Sequence, residues 1–281
     1  MNTAGMTARE VAAPGAGLRG ARQARRMSQM DLALRVGVSQ RHLSFIETGR
    51  AAPSRGMLLA LLEALDVPLT QRNELLLQAG YAPEYGARDL RDTDLGAVRE
   101  ALQRLLDAHE PAPAIVIDAM WNLVLANRGA QRLHRLMSGE PTLAPPVNVL
   151  KRIFHPDGWR KLVANFDEVA AATWQRVQHE MLQHPPLAQL AHEVEPWVPP
   201  ALRRPRYLQA NHARPLAPVL TTRFKTPRGE LTFFSAFTTF GTPQDITVAS
   251  LRVEHFFPAD AHTDRVCRDV AAETADEVAQ R

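Results

Sequence analysis

Residues 28–50, SQMDLALRVGVSQRHLSFIETGR, constrain the fold more than any other part of the chain. They read as two short helices joined by a tight turn. The Ser28 hydroxyl can accept from the free N–H groups that open a helix, and Asp31 three residues on can return the bond. Leu32, Ala33 and Val36 then fall on one helical face. Gly37 follows, where helices end in a left-handed residue that glycine adopts most cheaply. Val38 is the apolar plug of the turn, and Ser39 caps a second helix. That helix turns Leu43 and Ile46 inward and Gln40, Arg41, Ser44 and Thr48 outward, and Gly49 ends it. Every outward side chain can hydrogen-bond, and small Ala33 lets the two helices cross closely.

This is helix-turn-helix design, in which the second helix is free to enter the DNA major groove. Gln29, Gly37, Ser39, Gln40, Ile46, Glu47, Gly49 and Arg50, followed by Pro53 and Ser54, resemble the lambda-repressor-like (Xre-type) helix-turn-helix over about residues 17–80. The resemblance implies a five-helix, all-α DNA-binding domain. It puts Gln29 and Thr48 on phosphates and Gln40, Arg41 and Ser44 at base edges, with the cap Ser39 beside them. Glutamine suits adenine and arginine suits guanine for geometric reasons. Glu47 resembles the structural ion pair of that family, with Arg22 as partner, and counts as scaffold. Phe45 either touches a thymine methyl or packs.

At 281 residues the chain has room for two domains. A single cysteine, Cys267, rules out an intrachain disulfide, and a reducing, cytoplasmic setting is expected. No apolar run reaches the ~18 residues of a membrane span. Net charge is only +3. It is unevenly spread: residues 1–80 carry ten Arg against six acids, and the remainder 23 basic against 24 acidic residues. The basic surplus therefore accompanies the helix pair, as phosphate binding requires. Because it is modest, a lone monomer should bind DNA weakly, and a homodimer on a double-stranded operator is the expected assembly.

Residues 1–16 read as a flexible arm. GAGLRG at 15–20 spells the glycine spacing of a dinucleotide loop, but no strand precedes it and helices follow, so it reads as a loose leader into a helix at about 17–27. Helices at about 54–65 and 70–79 complete the first domain, 17–80. Turn-rich residues 81–93 read as a linker.

The second domain, 94–262, opens with a helix to about 109. A hairpin follows, AIVID at 114–118 and WNLVLA at 121–126. Asn127 suits the cap of the next helix. Asp157 reads as the cap of the longest helix, about 158–183, and eight prolines at 184–218 leave room only for short helical pieces. Three strands end the domain, at about 218–226, 230–240 and 246–257. The tail 263–281 reads as a frayed helix. WNLVLAN, HPDGWRKLVANFDEVA and LTFFSAFTTFGTPQDITVASLRVEHFFPAD resemble the MmyB-like ligand-binding domain that accompanies Xre-type heads in bacterial regulators. The resemblance implies an α+β, PAS-like fold with an antiparallel sheet, and a small apolar ligand of the fatty-acid or acyl-chain kind. From their place in these motifs, Trp121, Asn127, Phe154, Phe166, Trp174, Phe234 and His255 are the candidate ligand-binding residues.

Signs of catalysis are weak. His179 and His184 stand five residues apart, about 140° around a helix, where zinc proteases need four. No metal or other cofactor is expected. Neither a nucleophile elbow nor a phosphate-binding lysine loop is present. The reading is a DNA-binding, ligand-sensing regulator and not an enzyme. The alternatives are a second half that is an enzyme, or one that only dimerises.

Overall fold

The computed structural model describes residues 14–181, 184–203 and 219–279. The first thirteen residues of the arm expected at 1–16, residues 204–218 of the proline-rich stretch 184–218 and the last two residues of the tail lie outside them. The chain divides into two compact units, 1–88 with Pro243–Ala249, and 89–242 with 250–281.

Five helices build residues 14–88 of the first unit: α1 (Pro14–Ala24), α2 (Gln29–Val36), α3 (Gln40–Glu47), α4 (Arg55–Ala64) and α5 (Leu69–Gln78). The caps are those the residue types dictate. The Ser28 hydroxyl accepts from the Asp31 amide at 3.1 Å, while the Asp31 carboxylate accepts from the Ser28 amide. Gly37 ends α2 at φ 77°, and Ser39 and Ser54 cap α3 and α4. Leu18, Leu32, Leu43, Ile46, Leu58 and Leu62 close the core between the helices.

The glycine pattern at 15–20 lies inside α1, not in a loose leader. The reason is packing: a β-carbon on Gly15 would stand 2.2 Å from the Ile46 carbonyl oxygen, so only glycine lets α1 approach the end of α3. Residues 81–88 belong to this unit as well. The Tyr81 hydroxyl donates to the Pro53 carbonyl at 2.9 Å, and Asn73 brackets the backbone of Glu84 and Tyr85.

The second unit begins with α6 (Gly96–Ala108) and the strands β1 (Ala114–Ile117) and β2 (Leu123–Ala126). Helices α7 (Arg128–Ser138), α8 (Val149–Phe154), α9 (Phe166–Glu180) and α10 (Leu187–Val194) follow. Then come β3 (Thr221–Thr226), β4 (Gly229–Thr238), the short α11 (Ile246–Ser250), whose residues to Ala249 belong to the first unit, β5 (Arg252–Pro258) and α12 (Ala261–Ala279). The strands form one antiparallel sheet in the order β2-β1-β5-β4-β3. On one face α6 packs Leu102 and Leu106 against Ala114, Val116, Leu251 and Val253. The other face carries two clusters. Ile115 and Ile117 lie with Phe154, Trp174 and Val177. Phe233 and Leu231 lie with Val163 and Val266.

Two expected elements differ from those observed. The long helix at 158–183 is broken: a short 3-10 turn at Trp159–Lys161 precedes α9. Between them the Ala164 amide donates to the Arg223 carbonyl at 2.7 Å and the Lys225 amide to the Leu162 carbonyl at 2.7 Å, so the backbone lies along the free edge of β3. An open strand edge competes with the helix for these amides. The last strand starts at Arg252, because buried Asp245 accepts from the Thr247 and Val248 amides and nucleates α11 before it.

Asp245 also ties the β4–β5 connection into the first unit. Its carboxylate accepts from the Arg88 amide, the Ile246 amide donates to the Gly86 carbonyl at 2.7 Å, and the Thr247 hydroxyl donates to the Arg88 carbonyl at 2.7 Å.

Candidate functional site

The polar face of α3 stands where its sequence spacing puts it. Leu43 and Ile46 are buried against the core, while Gln40, Arg41 and Thr48 are exposed and Ser44 and Phe45 half-buried. The Ser39 hydroxyl is committed to capping, accepting from the His42 amide at 3.1 Å. The Thr48 hydroxyl donates to the Ser44 carbonyl at 2.8 Å, so it must turn to reach a phosphate. Gln29 sits at the first turn of α2 and donates through Nε2 to Glu47 at 2.9 Å. That bond uses one of the two hydrogens of the amide.

Beneath this face Arg22 and Glu47 form the expected ion pair. Nε meets Oε1 at 2.6 Å and Nη2 meets Oε2 at 2.8 Å, with 10% and 1% of the two side chains exposed. Burial pushes the Glu47 carboxyl up. Hydrogen bonds from Arg22 and Gln29, with the Arg22 charge, outweigh burial and hold it below its ordinary 4.5. The bond to Glu47 in turn raises the Arg22 guanidinium. A fork-to-fork pair of this kind fixes α1 to the end of α3 in one geometry.

In the second unit the candidate ligand residues fall into three groups. Trp121, Phe154 and Trp174 share one buried cluster, with Phe166 packed against it. Phe154 meets Phe166 and Trp174 edge-on at 6.2 and 6.0 Å between centroids. Phe234 and His255 lie on the opposite sheet face. There Phe234 stacks on Phe257 at 5.2 Å, and His255 meets His109 at 4.9 Å. Burial and the neighbouring His109 hold the His255 imidazole below its ordinary value. Asn127 is scaffold: its carbonyl oxygen accepts from the Ala130 and Ala114 amides, and its amide donates to the Ala112 and Leu106 carbonyls.

Sequence reasoning missed a charged cluster beside the first group. Trp121 has φ 61°, a left-handed conformation costly for so bulky a residue and commonest at functional sites. Its indole N–H donates to Glu180 at 3.0 Å, and Glu180 also accepts from Arg176 at 2.7 Å and from Arg252. The Arg176 guanidinium lies over the Phe237 ring at 3.8 Å. Burial pushes the Arg252 guanidinium down and the Glu254 carboxyl up. The sequence signal was the pair Arg252 and Glu254, which alternate with Val253 and His255 and so put two charges on one strand face.

Among the described residues five buried side-chain atoms have no partner: the Nε atoms of Arg132 and Arg252, Nδ1 of His134, and the indole nitrogens of Trp159 and Trp174. All belong to this unit. Among the described residues no cluster of His, Cys, Asp and Glu could hold a metal ion. Partial burial pushes the half-buried Cys267 thiol up to about 11, so it is protonated at neutral pH. No helix among the described residues is long and apolar enough to cross a membrane.

Comparison with known proteins adds to this geometry. Residues 98–269 match the MmyB-like transcription regulator ligand binding domain, and residues 18–71 match a helix-turn-helix family. A protein of Sinorhizobium fredii described as the uncharacterized HTH-type transcriptional regulator y4dL is 40% identical over 62 residues. Those residues are 22% of this chain and 32% of that protein, so the chain spans about a third of the curated relative it matches. A solved structure titled as an RNA-binding Light-Oxygen-Voltage receptor aligns over 96% of this chain and 65% of its own, at 14% identity and a TM-score of 0.25. No fold assignment rests on so low a score.

Proposed function

This chain belongs to the MmyB-like transcription regulators with a helix-turn-helix head, and we propose on that footing that it is a homodimer whose operator affinity answers to a small, largely apolar ligand in the cytoplasm. The observation that carries the DNA-binding half is α3 itself, with Leu43 and Ile46 buried and Gln40 and Arg41 exposed. Two copies would place their α3 helices about 34 Å apart, one DNA turn, on a pseudo-palindromic site. Gel shifts test this on sites selected with the wild-type protein. Gln40→Ala and Arg41→Ala should each relax the sequence preference, and wild-type affinity and specificity in both variants would sink the assignment.

The ligand half is supported by the aromatic cluster of Trp121, Phe154, Phe166 and Trp174 on the inner sheet face, and by the unpartnered indole nitrogens beside it. An apolar molecule with one hydrogen-bond acceptor suits such a lining. To act on DNA binding it must bind two conformations of the dimer unequally. Solvent extraction of the purified protein followed by mass spectrometry should recover such a molecule. Recovery of none, together with unchanged operator affinity when medium- and long-chain acyl compounds are added, would count against it and favour a second half that only dimerises.

A further inference from the structure

Arg41 has a shelf. Phe45 follows it by four residues on α3, one helical turn on, and the Arg41 guanidinium carbon lies over the Phe45 ring at 5.4 Å from its centroid. That is inside the ~6 Å within which a cation is drawn to the negative face of an aromatic ring. Among the described residues the ring is the partner Arg41 has, for no carboxylate or carbonyl holds it. The backbone that carries the ring is anchored. Phe45 is half-buried, and its carbonyl accepts from the Arg50 amide at 2.8 Å and the Ala51 amide at 3.1 Å, closing the turn that ends α3.

We propose that Phe45 is a positioning residue for base reading: it holds the Arg41 guanidinium in place before DNA arrives, so that Arg41 pairs with one guanine of each half-site. The inference rests on the reading of Arg41 as a base contact. A free arginine has four rotatable side-chain bonds, and ordering them on binding is unfavourable. Stacking restricts those bonds in the unbound protein. It leaves the N–H edge of the planar guanidinium free, and that edge matches the O6 and N7 acceptors of guanine in the major groove. Phe45 thus acts through Arg41 and needs no base contact of its own.

The test is selection from a duplex library randomised over roughly 25 base pairs, enough for two half-sites one turn apart. The full-length chain and the variants Arg41→Ala, Phe45→Leu, Phe45→Met and Phe45→Tyr are selected in parallel. Binding to random-sequence DNA and thermal unfolding are measured on each. Wild type should select one guanine per half-site, and Arg41→Ala should lose it. Phe45→Leu and Phe45→Met keep bulk but no ring face, and should weaken preference at that guanine about three- to tenfold. Other positions and binding to random DNA should be unchanged. Phe45→Tyr should restore the preference. Should Phe45→Leu alone fail to fold, Phe45→Met and Phe45→Tyr decide the matter between them.

Three outcomes overturn the proposal. The guanine preference persists in the ring-less variants. All positions weaken together, which marks Phe45 as packing. A thymine preference is lost in place of the guanine, which marks Phe45 as a methyl contact. If Arg41→Ala itself leaves the selected sequence unchanged, the base-reading role of Arg41 fails first, and the proposal goes with it for a distinguishable reason.

Discussion

The head and the body of this regulator treat their buried polar groups in opposite ways. In the head, Glu47 is buried yet accepts three hydrogen bonds, two from Arg22 and one from Gln29, and each serine that precedes α2, α3 or α4 caps it. Among the described residues none of its buried side-chain atoms lacks a partner. In the body, five do, and Trp121 holds a strained backbone beside a cluster of four charged side chains. A buried polar atom without a partner costs roughly 1–3 kcal/mol, so a fold keeps one only where packing overrides it or where something else completes it. The contrast teaches a division of labour. A reader of DNA gains from one rigid geometry. A sensor gains from leaving part of its core for a second molecule to satisfy.

The largest effect expected from this contrast is on the head. Glu47→Ala removes one side of an ion pair that is almost wholly out of water and leaves the Arg22 guanidinium uncompensated. Such cuts cost about 3–5 kcal/mol. Unfolding followed by amide exchange should show residues 14–88 opening earlier, with the sheet of the body unchanged. A loss under about 1 kcal/mol would mean the pair is solvated and the head is less closed than its hydrogen bonds imply.

The pH response should separate the two regions next. In the body, burial holds His134, His184 and His255 below their ordinary 6.5. The unfolded chain takes up protons near 6.5 where the folded chain does not, so the stability these groups contribute is full above that pH and is lost as pH falls through their lowered values. Glu254 works the other way. Burial raises it, so its contribution is full below 4.5 and is lost as pH rises through its raised value. In the head the lowered Glu47 contributes above 4.5, and that contribution is lost only in stronger acid. With Glu254→Gln in place to silence that opposing carboxyl, the midpoint of the body should fall as pH is lowered from about 7.5 to about 5.5 while that of the head stays level. Parallel curves would break the comparison.

Much of the head was legible because its signals are local. Ser28, Gly37 and Ser39 name the ends of helices, and Leu43 against Gln40 and Arg41 names the faces of α3. The misread glycines at 15–20 show the limit, since the need for Gly15 is set by the Ile46 carbonyl, thirty-one residues away. The body was legible in its strands and in Asn127 as a cap. It was not legible where one segment meets another in space. No periodicity in 158–183 reveals that 162–164 will run beside β3, and none in 246–257 that Asp245 will turn the chain into α11 first. The candidate ligand residues divided for the same reason. Strand alternation separates Phe234 and His255 from the Trp121 cluster only once the β4–β5 register is known.

The smallest expected effect is the most pointed test of the contrast, because it compares two tryptophans in one unit. Trp121 and Trp174 are 4% and 6% exposed and lie in the same cluster, but the Trp121 N–H donates to Glu180 while that of Trp174 donates to nothing. Changing either to phenylalanine removes similar apolar volume and the N–H group. At Trp121 the change also strips a hydrogen bond from the half-buried Glu180 carboxylate, whereas at Trp174 it removes a donor that was already costing free energy. Trp121→Phe should therefore lower the stability of the body by about 1–2 kcal/mol more than Trp174→Phe, read as the difference between their urea midpoints. Equal losses would mean that the Trp174 N–H has a partner in solution. A ligand carried through purification would produce that equality, and stripping the protein by solvent extraction should then restore the gap. If the gap is absent in the stripped protein too, the body is as fully satisfied as the head, and its indole nitrogens are not there for a second molecule to complete.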